Sequence, residues 1–339
     1  MLQPSERVLA VLGSHELIAV IATFQDGVYH DMRAFRPLAR HVSKRKPIKI
    51  LDWRLVDCHD DPPRPSLLHD NDIRHLDEAN KHLTPWFAAY GLSRLSRLLT
   101  CLPFMGEVVA CDAAYSGDVE RLHFLHGKYN LASFTGVPLM DIAATFGHLE
   151  VVKFLHGQGH RGICTMYAMN NACGNGHLDV VKFLHAHRSE GCSSKAMDAA
   201  AAHGHLHMIQ WLHANRHEGC TQWAMNLAAK GGHLNIVKFL HTQRDEVRPL
   251  EAIVYAARAG HVAIVAYLHE QLTVEYPVGA VCGAAECRNA AVVHYFLAEG
   301  NPRIFADALQ WAKENGKTQV FYYLQDAAAA ACRDRMCVA

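Results

Sequence analysis

Residues 176–202 read GHLDVVKFLHAHRSEGCSSKAMDAAAA, residues 204–230 read GHLHMIQWLHANRHEGCTQWAMNLAAK, and residues 232–240 read GHLNIVKFL. One pattern is therefore written almost three times. Its opening glycines, Gly176, Gly204 and Gly232, fall 28 residues apart. A fixed period between about 20 and 50 residues is typical of stacked-repeat proteins, in which each unit buries its apolar face against its neighbours. The sequence therefore predicts a stack of short repeats.

The glycine that opens the pattern can be followed along most of the chain. The interval between successive positions is irregular at the N-terminal end and constant at 28 residues from Gly176 onward. This gives about nine units over residues 85–325. Residues 1–80 do not follow the pattern and are predicted to form a small helical region that caps the stack or recruits another protein. Residues 326–339 are predicted to be a C-terminal tail. The position is occupied by Gly91, Gly117, Gly147, Gly176, Gly204, Gly232, Gly260, Arg288 and Gly316.

Each unit is predicted to be a helix, a turn and a second helix. Residues 192–201 are predicted to form a short helix that Ser193 can cap, and Thr165 and Thr221 stand in the same place in other units. Gly204 ends that helix because the residue after a helix commonly needs a positive φ. Small residues let neighbouring first helices approach closely. The alanine pairs expected to do so are 143/144, 200/201, 228/229, 256/257 and 284/285.

This pattern resembles the ankyrin repeat, whose usual motif is TPLHxAAxxGHxxVVxxLL. The segment AAxxGHL occurs at 143–149, 200–206 and 228–234, each time before a VVKFL-type helix. TPLH is replaced by YAMN, KAMD and WAMN, and the unit is 28 residues long rather than about 33. It is similar to a short subtype reading EGCTxxAMDxAAxxGHLEVVKFLHxxR. The resemblance implies an all-α solenoid of helix-turn-helix units with shortened or absent β-hairpins, and protein binding rather than catalysis.

Composition narrows the class of partner and the compartment. Lys plus Arg and Asp plus Glu each number 33, so no net positive charge attracts nucleic acid. The eleven cysteines are an odd number, and the N-terminus lacks the pattern of a signal peptide, which favours the reducing cytoplasm or nucleus. No apolar run approaches the roughly 20 residues of a membrane-spanning helix. We expect a monomer that binds neither nucleic acid nor membrane.

The many histidines and cysteines are predicted to be structural. Equivalent residues of stacked helices lie about 10 Å apart, whereas zinc ligands lie within about 2.3 Å of the metal, so stacked copies cannot share one ion. The same distance excludes disulfides among Cys164, Cys192 and Cys220. With no catalytic motif either, we predict no catalytic, cofactor-binding or metal-binding residues. Two positions hold eleven of the 25 histidines: His148, His177, His205, His233 and His261 after the glycine, and His126, His156, His185, His213, His241 and His269 after the second-helix core.

Partner binding is expected where the copies differ, just before each first helix and just before each glycine. Tyr167 and Trp223 are the aromatic members; Lys195 and Glu251 stand where Trp223 does in adjacent units, so packing does not demand an aromatic there. In the alternative interpretation these rings lie flat over the adjacent turn. The predicted partner-binding residues are Met166, Tyr167, Asn175, Ser194, Lys195, His203, Gln222, Trp223, Lys230, Leu250 and Arg258.

These observations predict a protein–protein interaction scaffold without enzymatic activity. An alternative gives the N-terminal region an F-box-like role, which would make the protein a substrate receptor of a ubiquitin ligase. Its support is a predicted helix at 15–24, HELIAVIATF, followed by a second predicted helix over 31–42.

Overall fold

The computed structural model describes residues 24–25, 28–38, 70–129, 131, 138–159, 164–272, 277–299 and 302–338. The predicted helix at 15–24 lies outside these residues except for Phe24, which belongs to a strand. The chain divides into two compact units, residues 1–53 with 68–168, and residues 54–67 with 169–339. The boundaries predicted at 80–85 and 325–326 both fall inside helices, Asp70–Tyr90 and Thr318–Val338.

The first elements that the structure describes are two short antiparallel strands, which the all-α prediction did not include. Phe24 of β1 lies opposite Tyr29 of β2. The helix predicted over 31–42 is a 3-10 helix, His30–Leu38, in which Pro37 has no N–H for an α-helical hydrogen bond. The elements are β1 (Phe24–Gln25), β2 (Val28–Tyr29), the 3-10 helix, α1 (Asp70–Tyr90), a 3-10 turn (Leu92–Arg94), α2 (Leu95–Cys101), α3 (Met105–Ser116), α4 (Val119–Tyr129), α5 (Leu139–Thr145) and α6 (Leu149–Gly157).

The second unit is a series of helix pairs. From the helix Lys195–Ala202 onward, the first helices pack in succession, and each also packs against the second helix that follows it. The predicted alanine pairs are all buried, as close packing of neighbouring first helices requires. The helices are α7 (Met166–Gly174, whose start belongs to the first unit), α8 (Leu178–His187), α9 (Lys195–Ala202), α10 (Leu206–Asn215), α11 (Gln222–Gly231), α12 (Leu234–Gln243), α13 (Pro249–Ala259), α14 (Val262–Leu272), α15 (Val278–Glu286), α16 (Ala290–Glu299), α17 (Pro302–Glu314) and α18 (Thr318–Val338).

The connections between helix pairs contain no hairpin finger where the structure describes them completely. Residues 188–194, 216–221 and 244–248 form no strand. This confirms the shortened connection implied by the 28-residue period. Each of these loops instead begins with an arginine that pairs with the glutamate two residues later, a pattern that the sequence analysis missed. The pairs are Arg188–Glu190, Arg216–Glu218 and Arg244–Glu246.

The predicted helix caps are only partly right. The hydroxyl of Thr221 accepts a hydrogen bond from the N–H of Trp223 at 3.1 Å, as predicted. The prediction for Ser193 is wrong, because α9 begins at Lys195 and has no side-chain cap. The hydroxyl of Ser193 instead accepts a hydrogen bond from the side chain of Asn170 at 3.0 Å. Thr165 caps α7 as predicted, with the N–H of Tyr167 at 3.1 Å.

The repeated glycines all have positive φ, and Arg288 keeps that conformation without being glycine. Its φ is 56°, and among the described residues it is the one non-glycine with positive φ. A side chain in the left-handed region costs about 1–2 kcal/mol because Cβ approaches the following carbonyl. The chain therefore carries local strain at the point where the glycine is lost.

Arg288→Gly is expected to raise the free energy of unfolding by about 1 kcal/mol, because it relieves this strain while exposing no core surface. Chemical denaturation of the full chain measures the change. Ala306→Gly, at an exposed position inside α17, is the matched control and should lose about 1 kcal/mol, since glycine is a poor helix former. Equal losses for both variants would contradict the prediction.

Candidate partner-binding surface

Buried polar side chains on several first helices fix the loop that precedes the next first helix. Asp198 on α9 is only 4% exposed, and its carboxylate accepts hydrogen bonds from the N–H and the hydroxyl of Thr221, at 2.8 and 2.7 Å. Burial raises the pKa of Asp198 to about 6, against the opposing effect of the two Thr221 hydrogen bonds. Asp141 holds Thr165 in the same way, at 2.8 and 2.5 Å. These contacts place the N-terminal ends of the first helices, where predicted partner residues stand.

Where a histidine follows the repeated glycine, it fixes the opposite end of the first helices. His233 Nε2 lies 3.2 Å from the carbonyl oxygen of Ala202, and His261 Nε2 lies 3.0 Å from that of Lys230. The imidazole ring lies directly over the glycine of the preceding repeat. A Cβ on Gly204 would come within 2.7 Å of the His233 ring. In the first unit His148 bonds the carbonyl of Tyr115 at 2.8 Å. The predicted structural hydrogen bonding is confirmed for these three histidines.

Most of the predicted partner-binding residues lie in the second unit. Met166 and Tyr167 are the exceptions, because the first unit ends at residue 168. Tyr167 and Trp223 thus belong to different compact units of the chain. Six of the predicted residues are exposed, namely Met166, Asn175, His203, Lys230, Leu250 and Arg258, and five are half-buried, namely Tyr167, Ser194, Lys195, Gln222 and Trp223.

Trp223 forms an aromatic pair with Tyr255, a residue that the sequence analysis missed. The ring centroids are 6.1 Å apart and the planes meet at 69°, so the contact is edge to face. The ring of Trp223 therefore meets a side chain of the next first helix, α13. The signal for Tyr255 was available, because it stands four residues after Glu251 and four-residue spacing keeps side chains on one face of a helix.

Three further residues complete this surface, which we call the Trp223 surface: Trp223, Leu227 and Lys230 on α11, with Tyr255 and Arg258 on α13. On each helix the members are three or four residues apart and so share one face. Leu227 is buried, Trp223 and Tyr255 are half-buried, and Lys230 and Arg258 are exposed. The surface therefore has an apolar centre and a basic end.

Two glutamates lie beside the Trp223 surface, and both are partnered. Glu251 pairs with Arg248 at 3.2 Å and accepts a hydrogen bond from Asn226 at 3.1 Å. The carboxylate of Glu286 forms ion pairs with two cations, Arg258 at 3.5 Å and Lys317 at 3.2 Å. The charge that remains at the basic end of the Trp223 surface is positive.

The recurring cysteines and second-helix histidines occupy packing positions. Burial raises the pKa of Cys192 to about 11 and that of Cys220 to about 12, which makes both poor nucleophiles at neutral pH. His185 and His213 pack edge to face on aromatic rings of the next second helix, at 5.2 and 5.5 Å. The part of the chain that the structure describes contains no group of side chains suited to a metal ion.

The comparison with known families agrees with this architecture. Residues 139–222 and residues 196–278 match the family model described as ankyrin repeats, three copies. Residues 139–278 therefore contain ankyrin repeats. Such repeats are generally protein–protein interaction modules, and ankyrin-repeat proteins are typically non-enzymatic scaffolds. No curated protein matches the sequence. None of the helices in the described residues is both long and apolar enough to cross a membrane.

Proposed function

We propose that the chain is a scaffold that binds a partner protein through the variable face of its first helices, centred on the Trp223 surface. The observation that carries this proposal is the aromatic pair of Trp223 and Tyr255. Tryptophan and tyrosine are over-represented among the residues that dominate binding energy at protein interfaces. Of the predicted partner residues, those of the second unit flank this pair along the first helices.

The stack itself does not need these two aromatic rings. Lys195 occupies the position of Trp223 in the preceding unit, and Ala199 and Leu227 occupy that of Tyr255 in the two preceding units. By contrast, the contacts that hold one repeat on the next recur along the chain. They involve the repeated glycine, the histidine after it and the buried Asp or Asn. Side chains that vary while the stacking contacts recur are available for recognition.

Trp223→Ala is expected to weaken partner binding at least tenfold, because truncating a central interface aromatic commonly costs about 2 kcal/mol or more. The full chain and the variant are immobilised, and the retained proteins are compared by quantitative mass spectrometry. Trp211→Ala is the matched control, since Trp211 is also half-buried in an edge-to-face contact but lies on a second helix. A protein retained by wild type and the control but lost with Trp223→Ala supports the proposal. Retention of the same proteins by all three chains, with similar melting temperatures, would exclude this surface.

We also propose a monomeric protein of the cytoplasm or nucleus. The nine cysteines that the structure describes are free, and five of them are buried. Free thiols in this number are typical of a reducing compartment. Fractionation of cells that express the full chain, with sedimentation analysis of the purified protein, tests both statements. Disulfide-linked species in the freshly isolated protein would contradict them.

A further inference from the structure

We infer that the segment recognised at the Trp223 surface is acidic and apolar. An apolar side chain of an extended partner segment packs on Trp223 and Tyr255, and carboxylates about three residues away bind Lys230 and Arg258. This inference rests on the proposed function and names the chemistry of its partner.

The spacing follows from helix geometry. Lys230 is seven residues after Trp223 on α11, which places it on the same face and about 10 Å further along the helix. Arg258 is three residues after Tyr255 on α13, which packs directly against α11. An extended chain advances about 3.3 Å per residue, so about three residues separate the apolar contact from the basic pair.

Charge complementarity determines the sign of the partner. Lys230 is exposed and forms no ion pair with any residue that the structure describes. Arg258 shares Glu286 with Lys317, and Glu251 is already offset by Arg248. The basic end therefore attracts a carboxylate. An extended run of phosphates would also approach Glu286 and Glu251, which disfavours a nucleic acid or an anionic membrane.

The two parts of the surface have different tasks. Burial of an apolar side chain against the aromatic pair supplies most of the affinity, because the apolar centre excludes water. Exposed charges at the edge contribute less affinity but determine which sequences bind and how fast they associate. The partner should therefore need both its apolar residue and its acidic residues, in that spacing.

The experiment selects a displayed random-peptide library on the full chain and measures the affinity of the enriched peptides. We expect a leucine or an aromatic residue separated by about three positions from two or more Asp or Glu. Lys230→Glu together with Arg258→Glu should weaken these peptides about tenfold, and peptides with Lys in place of the acids should recover binding to that variant. Lys182→Glu, an exposed lysine of α8, is the matched control and should leave their affinity unchanged.

The outcomes separate this inference from the proposed function. Peptides that require Trp223 but carry basic or neutral flanks would overturn the acidic assignment and leave the scaffold proposal standing. Absence of any peptide that requires Trp223 would overturn both. Binding of phosphatidylserine vesicles or single-stranded RNA that is lost with the charge-reversed variant would assign the basic end to a polyanion and overturn the inference.

Discussion

Gly204→Ala is expected to lower the free energy of unfolding by about 3 kcal/mol. The backbone φ of Gly204 is +85°, and this conformation costs an alanine about 1–2 kcal/mol. The new Cβ would also meet the His233 ring at 2.7 Å, so the ring must move away and lose its contact with the carbonyl of Ala202. Such overpacking costs a further 1–3 kcal/mol or so. Chemical denaturation of the full chain measures the loss.

Gly316→Ala is the matched control for this prediction. The φ of Gly316 is +66°, but nothing lies within 4 Å of the point that its Cβ would occupy, so only the backbone cost of about 1 kcal/mol is expected. A mutant cycle with His233→Ala isolates the ring contact, because removing the ring should reduce the cost of Gly204→Ala by about 1 kcal/mol or more. Equal losses at the two glycines, without coupling to His233, would show that the ring does not require the glycine.

Asp198→Ala is expected to destabilise the protein by about 2 kcal/mol, because it removes the acceptor of two hydrogen bonds that tie Thr221 to α9. Asp198→Asn is the matched variant. Asn170 makes the equivalent contact with Ser193, in which its side-chain oxygen accepts from the N–H at 2.9 Å and its amide donates to the hydroxyl. The asparagine variant should therefore be at least as stable as wild type near neutral pH. A loss as large as that of the alanine variant would contradict this role.

The difference in stability between wild type and Asp198→Asn is expected to depend on pH. The pKa of Asp198 is raised to about 6 in the folded state, above the value of an exposed aspartate, so the folded chain binds a proton more readily than the unfolded chain. The contribution of Asp198 to stability therefore rises as the pH falls through that value and is lost as the pH rises. Between about pH 7 and about pH 5, wild type should gain about 1 kcal/mol relative to Asp198→Asn. Denaturation curves at the two pH values measure the difference, and a constant difference would contradict the prediction.

Much of the fold could be predicted from periodicity. The position of the glycines, the buried alanine pairs and the histidine hydrogen bonds each follow from a property that recurs from copy to copy. The strands at the N-terminus could not be predicted, because they lie outside the repeat and each has only two residues. The Ser193 cap was predicted because Ser193 aligns with Thr221, and that alignment is correct. The prediction failed because Asn170 donates a hydrogen bond to the Ser193 hydroxyl, whereas Asp198 offers the Thr221 hydroxyl only acceptors.

The candidate surface was predicted only in part. Trp223, Lys230 and Arg258 were found because they differ from their counterparts in other units. Tyr255 was missed because its counterparts are the small or buried Ala199 and Leu227, so its position looked like part of the core. Whether a side chain at such a position reaches the surface depends on its size and on the neighbouring helix, neither of which periodicity describes.

Periodicity was enough to predict the repeat length, the two helices of each repeat, and the glycines, alanine pairs and histidines that recur from one repeat to the next. These properties are local or recur at a fixed period, so one chain is enough to show them. Three contacts became visible only in the folded chain: His233 lies on Gly204, Asp198 holds Thr221 and Trp223 meets Tyr255. Each of these contacts joins residues of successive units, 23 to 32 positions apart. Their geometry depends on how closely and in which orientation one helix packs on the next.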